Sequence, residues 1–215
     1  MNNISIIHIL SIAAPMTANR PITDARERIL QAAEQRFLAY GYHKTTMAEI
    51  ANDVSMSTAN LYRYFRNKQA IAFEVCGRWM STRLERLQKV VASDRRAREK
   101  LEAYALTMVE HTHELASGDS MIGQLVDIIT RENAAMVLDK VAAHQGLLQN
   151  ILDLGVADGE FDAKQAEGAA ASIYSALVVF DVPLFVGLLT RDDYDRRARG
   201  LTKLLCDSLS TPTHA

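Results

Sequence analysis

Residues 29–75 read ILQAAEQRFLAYGYHKTTMAEIANDVSMSTANLYRYFRNKQAIAFEV, and the spacing of apolar residues in this stretch decides the fold. Ile29, Ala33, Phe37 and Tyr40 lie on one face of a helix. The helix is expected to start after a Thr23/Asp24 cap and to end at Gly41. Met47, Ile50, Ala51 and Val54 form a second stripe, about two turns long, capped by Thr45 or Thr46. Glu49 stands in capping-box position to Thr46. Ser55-Met56-Ser57 interrupts the pattern, and Ser57 can cap a third short helix, Thr58 to Tyr64, that buries Leu61 and Phe65. Two short helices joined by a tight turn, behind a longer one, make a helix-turn-helix.

Outward from that unit the chain reads as helix throughout. A fourth helix opens at Asn67-Lys68 with Ile71, Val75 and Trp79 and continues through Met80, Leu84, Leu87 and Val91 towards Ser93-Asp94, connecting two bodies. Three more amphipathic stripes follow, one with Leu101, Tyr104, Met108 and Leu115. The next two carry Met121, Leu125 and Ile128, then Val137, Val141, Leu148 and Ile151. Asp158-Gly159-Glu160 is a turn. Ala169 to Leu189 is apolar almost all round apart from Asp181 and is bent or broken at Pro183. Tyr194, Leu201, Leu205 and Leu209 mark a last helix. A segment apolar on every side must be covered on every side, which in a body this small calls for a second copy of the chain. Homodimerisation through the last two helices follows. The expected fold is all-α: a helix-turn-helix domain over 21–68, joined by a long helix to a larger helical dimerisation domain over 69–210. Residues 1–20 read as a disordered arm or a mis-assigned start, and 211–215 as a tail.

Composition agrees. Four prolines and ten glycines in 215 residues favour long helices, and 48% hydrophobic with 23% charged residues excludes the disordered and membrane classes. Ile4 to Ala14 is too short to span a bilayer, no Lys or Arg precedes it as a secretory signal requires, and Met16 opens a more ordinary lead-in. Cys76 and Cys206 stand far apart on apolar stripes and form no disulfide framework, which fits a reducing cytoplasm. The net charge of −2 is unevenly spread. Residues 20–90 carry twelve Lys/Arg against seven Asp/Glu, a local balance of +5, which suits a chain that binds DNA phosphates and which a chance surface asymmetry also gives.

A recognition helix needs a short polar end to reach base edges and an apolar underside to seat it. Ser57, Thr58 and Asn60 supply the first, Leu61 and Phe65 the second. Asn60 has the donor and acceptor pair that matches adenine. Tyr62, Tyr64 and Lys68 are phosphate-reaching types, and Arg63, Arg66 and Lys68 make a basic cluster. Thr46, Ser57 and Thr58 also serve as plain helix caps, and the two tyrosines as half-buried packing. In the second body, polar groups interrupt apolar stripes: His111 with Tyr104 and Met108, His144 with Val141 and Leu148, Asp181 with Tyr174. These are candidates for an effector pocket or for satisfied core groups. Arg131 either pairs with an acidic ligand or caps a solvated helix end. His111 and His113 face different sides of a helix with no further ligand at metal spacing, and the common catalytic motifs are absent. No metal, no cofactor and no enzymatic activity are expected.

Residues 29–75 resemble the N-terminal domain of the TetR family of one-component bacterial regulators. The resemblance rests on the Ala39-Tyr40-Gly41-Tyr42 end of the first helix, Thr45-Thr46 before the second, Ile50-Ala51 within it, and Leu61-Tyr62-Arg63-Tyr64-Phe65 followed by Asn67-Lys68. It implies a ligand-responsive regulator, a repressor by family habit, that binds a palindromic double-stranded DNA operator as a homodimer and is released by a small-molecule effector. DNA contacts are expected from Thr46, Ser57, Thr58, Ala59, Asn60, Tyr62, Arg63, Tyr64 and Lys68. Effector contacts are expected among Tyr104, Met108, His111, Arg131, His144, Tyr174 and Asp181. Two departures stand out. Ser55 replaces the usual turn glycine, and Thr58-Ala59-Asn60 replaces the commoner Lys-Gly-Thr, which implies a private operator sequence. A helical ligand-binding or adaptor protein that keeps the helix-turn-helix only as structure is the alternative. A small helical enzyme would require His111, His144 and Asp181 to meet in space.

Overall fold

The computed structural model describes residues 20–116 and 121–210. The Ile4 to Ala14 run, Met16 and the 211–215 tail lie outside them. The described residues form ten α-helices and no strand: α1 (Arg20–Tyr40), α2 (Met47–Asp53), α3 (Thr58–Leu61), α4 (Lys68–Val91), α5 (Ala97–Leu115), α6 (Ile122–Glu132), α7 (Ala134–Ala157), α8 (Ala163–Ala166), α9 (Ala169–Leu177) and α10 (Arg191–Leu209). Two 3-10 segments, Val178–Phe180 and Pro183–Leu188, link the last two helices. The expected all-α class is therefore the observed one.

The helix ends show the chemistry behind each boundary. α1 begins at Arg20, earlier than a Thr23/Asp24 cap would place it. Pro21 suits a first turn because its φ is fixed and its missing N–H needs no partner there. Gly41, at φ +89, ends α1 in the left-handed region that a side chain disfavours. Asn67 caps α4, its side chain accepting from Ala70 N at 2.8 Å. Asp162 caps the short α8, which the sequence pattern does not reveal. α3 stops at Leu61, and Tyr62 to Tyr64 continue as turn. The apolar stretch from Ala169 breaks well before Pro183: α9 ends at Leu177 and the chain tightens into 3-10 turns.

Two cores follow. The first gathers Ile29, Phe37, Ile50, Leu61, Ile71 and Val75 from α1 to α4, and it also takes Leu125 and Ile129 from α6. The second packs Leu87 and one face of α5 against α7, α9 and α10, with Leu101, Met108, Leu148, Ile151 and Leu177 fully enclosed. α4 serves both cores, and α6 reaches back from the second body to the first. Cys76 and Cys206 are both buried free thiols, whose burial pushes their pKa up to about 12 and about 11. No described helix is long and apolar enough to cross a membrane.

Candidate functional site

The helix-turn-helix is held from inside by its own caps and from behind by α1. Thr46 Oγ1 accepts from Glu49 N at 3.2 Å while the Glu49 carboxylate accepts from Thr46 N at 2.8 Å, so the capping box read from the spacing is formed. Ser57 Oγ accepts from Asn60 N at 3.2 Å. Between them Ser55 sits at φ 55, the one positive φ outside glycine among the described residues, bridged by Met56 N to Ala51 O at 2.8 Å. α1 then seals both helix ends. Arg28 donates to Val54 O at 3.0 Å, and Arg26 donates to Tyr64 O at 2.9 Å with its guanidinium 4.1 Å over the Phe65 ring. Arg26 also pairs with Glu74, and Arg36 with Asp53 and Glu49.

On the outer side of this frame Thr46, Ser57, Ala59, Tyr62 and Arg63 are exposed, Tyr62 by 52%, and Thr58, Asn60 and Tyr64 are half-buried. Tyr64 leans on the N-terminal core. Lys44, Arg63 and Arg66 are exposed and join no ion pair among the described residues, so their charge faces solvent. Lys68 behaves differently from a phosphate-reaching side chain. Its ammonium donates to Tyr42 O at 2.6 Å and Thr45 O at 2.7 Å and lies 4.3 Å over the Tyr42 ring. Desolvation lowers its pKa. The turn between α1 and α2 leaves these carbonyls without helical partners, and Lys68 satisfies them.

Inside the second body the polar residues that interrupt apolar stripes meet. Asp181, with no exposed side-chain surface, pairs with Arg83 and with Lys140, and accepts from Tyr174 OH at 2.8 Å. Arg83 also donates Nε to His111 Nδ1 at 3.1 Å, NH1 to Asp181 O at 3.0 Å and NH2 to Thr112 Oγ1 at 3.0 Å. Tyr104 OH and His144 Nδ1 are 2.6 Å apart, and the His144 ring lies 4.9 Å from that of Tyr174. Burial and the nearby cations lower the pKa of both His111 and His144 to about 3, so both rings are neutral. Burial raises the Tyr104 and Tyr174 hydroxyls.

Of the seven effector candidates, Tyr104, His111, His144, Tyr174 and Asp181 thus belong to one network. Met108 is wholly core. Arg131 is exposed and bonded to Asp127 Oδ1 at 2.7 Å, away from the network, because its position on α6 faces solvent. Sequence reasoning missed Arg83 and Lys140, which supply the network's charge. The signal was present. Arg83 sits four residues after Trp79 and four before Leu87 on a buried stripe, and Lys140 lies between Met136 and His144 at the same spacing.

The network walls a cavity of about 70 Å³ between α4, α5 and α6, whose other walls include Trp79, Met80, Leu115, Ile122 and Val126. Two cavity-lining elements touch the helix-turn-helix unit directly. Trp79 Nε1 donates to Glu34 on α1 at 2.5 Å. Just before α6, Met121 N donates to Leu38 O at 2.9 Å, and on α6 Gln124 Oε1 accepts from His43 N at 3.0 Å. Gly41 makes room for that amide, since a Cβ there would stand 2.8 Å from it.

Residues 29–75 match the family described as "Bacterial regulatory proteins, tetR family", and residues 97–202 match "Tetracyclin repressor-like, C-terminal domain". The chain is 26% identical over 137 residues to the fatty acid metabolism regulator protein of Bacillus subtilis, covering 62% of this chain and 69% of that one. It is 26% identical over 152 residues to the HTH-type transcriptional repressor KstR2 of Mycolicibacterium smegmatis, covering 69% and 72%. A solved transcriptional regulator from Cytophaga hutchinsonii shares the fold, with a TM-score of 0.69 at 22% identity over 86% of this chain and 98% of that one.

Proposed function

The chain belongs to the TetR family of bacterial regulatory proteins, and from that premise we propose that it is a homodimeric repressor. In this reading it holds a palindromic operator until a small molecule entering the α4–α6 cavity releases it. The observation that carries the DNA reading is the face of the helix-turn-helix. Lys44, Arg63 and Arg66 present unpaired charge beside the half-exposed Tyr62, while Arg26, Arg36 and Arg78 are held by acidic partners. A structure kept only as scaffold would not need that charge free. Asn60, Thr58 and Ala59 read base edges, Thr46, Ser57, Tyr62, Arg63 and Tyr64 lie along the backbone, and Lys68 acts by fixing the turn before α2.

Dimerisation falls to the outer faces of α9 and α10. α9 buries Ile173, Tyr174 and Leu177 but leaves Ala171, Ser172 and Ser175 open, and Leu204 of α10 is 69% exposed. These small and apolar residues suit close contact with a second copy. A ligand in the cavity acts on both ties to the helix-turn-helix, Trp79–Glu34 and Gln124–His43, and so alters the spacing of two recognition helices that must span about 34–36 Å. The repressor sign follows the M. smegmatis relative, and the cytoplasm is where the operator lies. The relatives are regulators, and no catalytic step is proposed. The test is the salt dependence of duplex binding. Replacing Lys44, Arg63 and Arg66 together by alanine removes these three cations from both protomers and lowers the slope of log K against log salt by about 5 units; an unchanged slope favours the scaffold reading.

A further inference from the structure

We infer that the α4–α6 cavity takes an apolar monocarboxylate, its carboxylate set against Arg83 and Lys140 where both line the cavity beside Asp181, and its hydrocarbon body against the walls of α4 and α6. This rests on the effector reading above and names the chemistry of that site. Among the described residues Asp181 is the one carboxylate paired with Arg83 and Lys140, which leave 8% and 17% of their side chains exposed. The other polar groups of the network carry no charge to balance the second cation: His111 and Tyr104 from α5, His144 from α7 and Tyr174 from α9 are all neutral. The exposed Asp139 lies on the groove side of Lys140 and does not line the cavity. Burial and the like charge of Arg83 bring Lys140 down to about 7. The cluster therefore holds one positive charge more than it can match, or sheds a proton to avoid it. A monoanion matches that excess; a cation meets its own sign, and a dianion overshoots.

The body of the ligand follows from the remaining walls. Trp79, Met80, Leu115, Ile122, Val126 and Ile129 offer only apolar surface and one indole whose N–H is already bonded to Glu34. A shallower groove of about 260 Å³ adjoins across Met80 and Lys140, which line both spaces. Both side chains are long and rotatable, so their movement would open the cavity into the groove. Entry through the groove would bring the carboxylate past Lys140 first.

Trp79 is the one tryptophan of the chain and stands in the cavity wall, so its fluorescence reports occupancy without any DNA. The test titrates the full-length protein with straight-chain carboxylates from butanoate to decanoate and with the primary amide of each. At least one acid is expected to bind ~30-fold or more tightly than its amide, the loss typical of removing one partner of a buried charge pair. Lys140→Gln brings acid and amide within about threefold of each other. Should that variant fold poorly, the wild type gives an independent reading. Its affinity for an acid falls up to tenfold per pH unit above about 7, because binding requires the protonated Lys140 while the ligand stays ionised. Equal affinity for acid and amide, or no response of Trp79 to any of the series, overturns the inference. Release of operator DNA is measured separately. Acids that bind without releasing it leave the site standing and remove its regulatory role, whereas operator binding with no acid response removes the site alone.

Discussion

Acidification from pH 7 to pH 4.5 is expected to remove about 5 kcal/mol of folding stability through His111 and His144 alone. In the folded chain one nitrogen of each ring is committed: Nδ1 of His111 accepts from Arg83 Nε, and Nδ1 of His144 meets Tyr104 OH. Both side chains are almost fully buried, at 3% and 2% exposure. Burial and cationic neighbours hold both at about 3, against about 6.5 in an unfolded chain. Between those values the unfolded chain binds the protons and the folded one does not, so stability falls as pH falls through that window. Each histidine contributes about 2.5 kcal/mol between pH 7 and 4.5, and a domain of ordinary stability has only about 5–15 kcal/mol to lose. The assay is urea unfolding followed by far-UV circular dichroism across this range, wild type against His111→Gln. Glutamine keeps an acceptor for Arg83 but does not titrate, so the difference between the two curves isolates one histidine from the carboxylates common to both. The variant should lose about half of the histidine contribution, roughly 2.5 kcal/mol. Parallel curves for the two proteins would refute the reasoning.

Other expectations concern the DNA-binding unit. Ser55→Gly relieves a side chain held at φ 55 and should raise stability by roughly 1 kcal/mol, seen as a melting temperature about 2–4 °C higher by calorimetry. Gly41→Ala places a Cβ 2.8 Å from the Gln124 amide at φ +89. It should destabilise by roughly 1–3 kcal/mol in urea unfolding and loosen α6 from the turn, as increased hydrogen exchange at His43 N. Asn60→Ala is expected to relax preference at one base position by about 1–3 kcal/mol in competition binding, while Tyr62→Ala weakens all sequences alike. Lys68→Met should weaken binding to every duplex by freeing the Tyr42 and Thr45 carbonyls, yet change the salt slope by less than Arg63→Ala, which removes about one unit per protomer and about two from the dimer.

The N-terminal half was legible because its signals are local. Capping at Thr46 and Ser57, the glycine stop at Gly41 and the stripe through Ile50 and Leu61 each act within a turn or two of chain, and the structure forms all of them. Lys68 shows the limit: its position beside a recognition helix implied a phosphate, but its partners are carbonyls 23 to 26 residues away that only the fold brings near. The interior network was half visible. His111, His144 and Asp181 are polar breaks in apolar runs, whereas Arg83 and Lys140 carry long charged side chains that a helix surface ordinarily leaves in water. What buries them is α4 packing on α5 and α7, a long-range event of which their place on apolar stripes is the one local mark. Likewise α9 reads as apolar all round, but its outward residues are mostly small. Composition alone does not say that one face stays open.

Sequence-specific DNA binding by a dimer is tested by selecting bound sequences from random duplex DNA at near-physiological salt. With purified dimeric protein the enriched sites should form a palindrome whose half-sites lie about one helical turn apart, and Arg63→Ala should lower recovery without changing the consensus. Folded, dimeric protein that enriches no sequence over the starting pool would contradict the account.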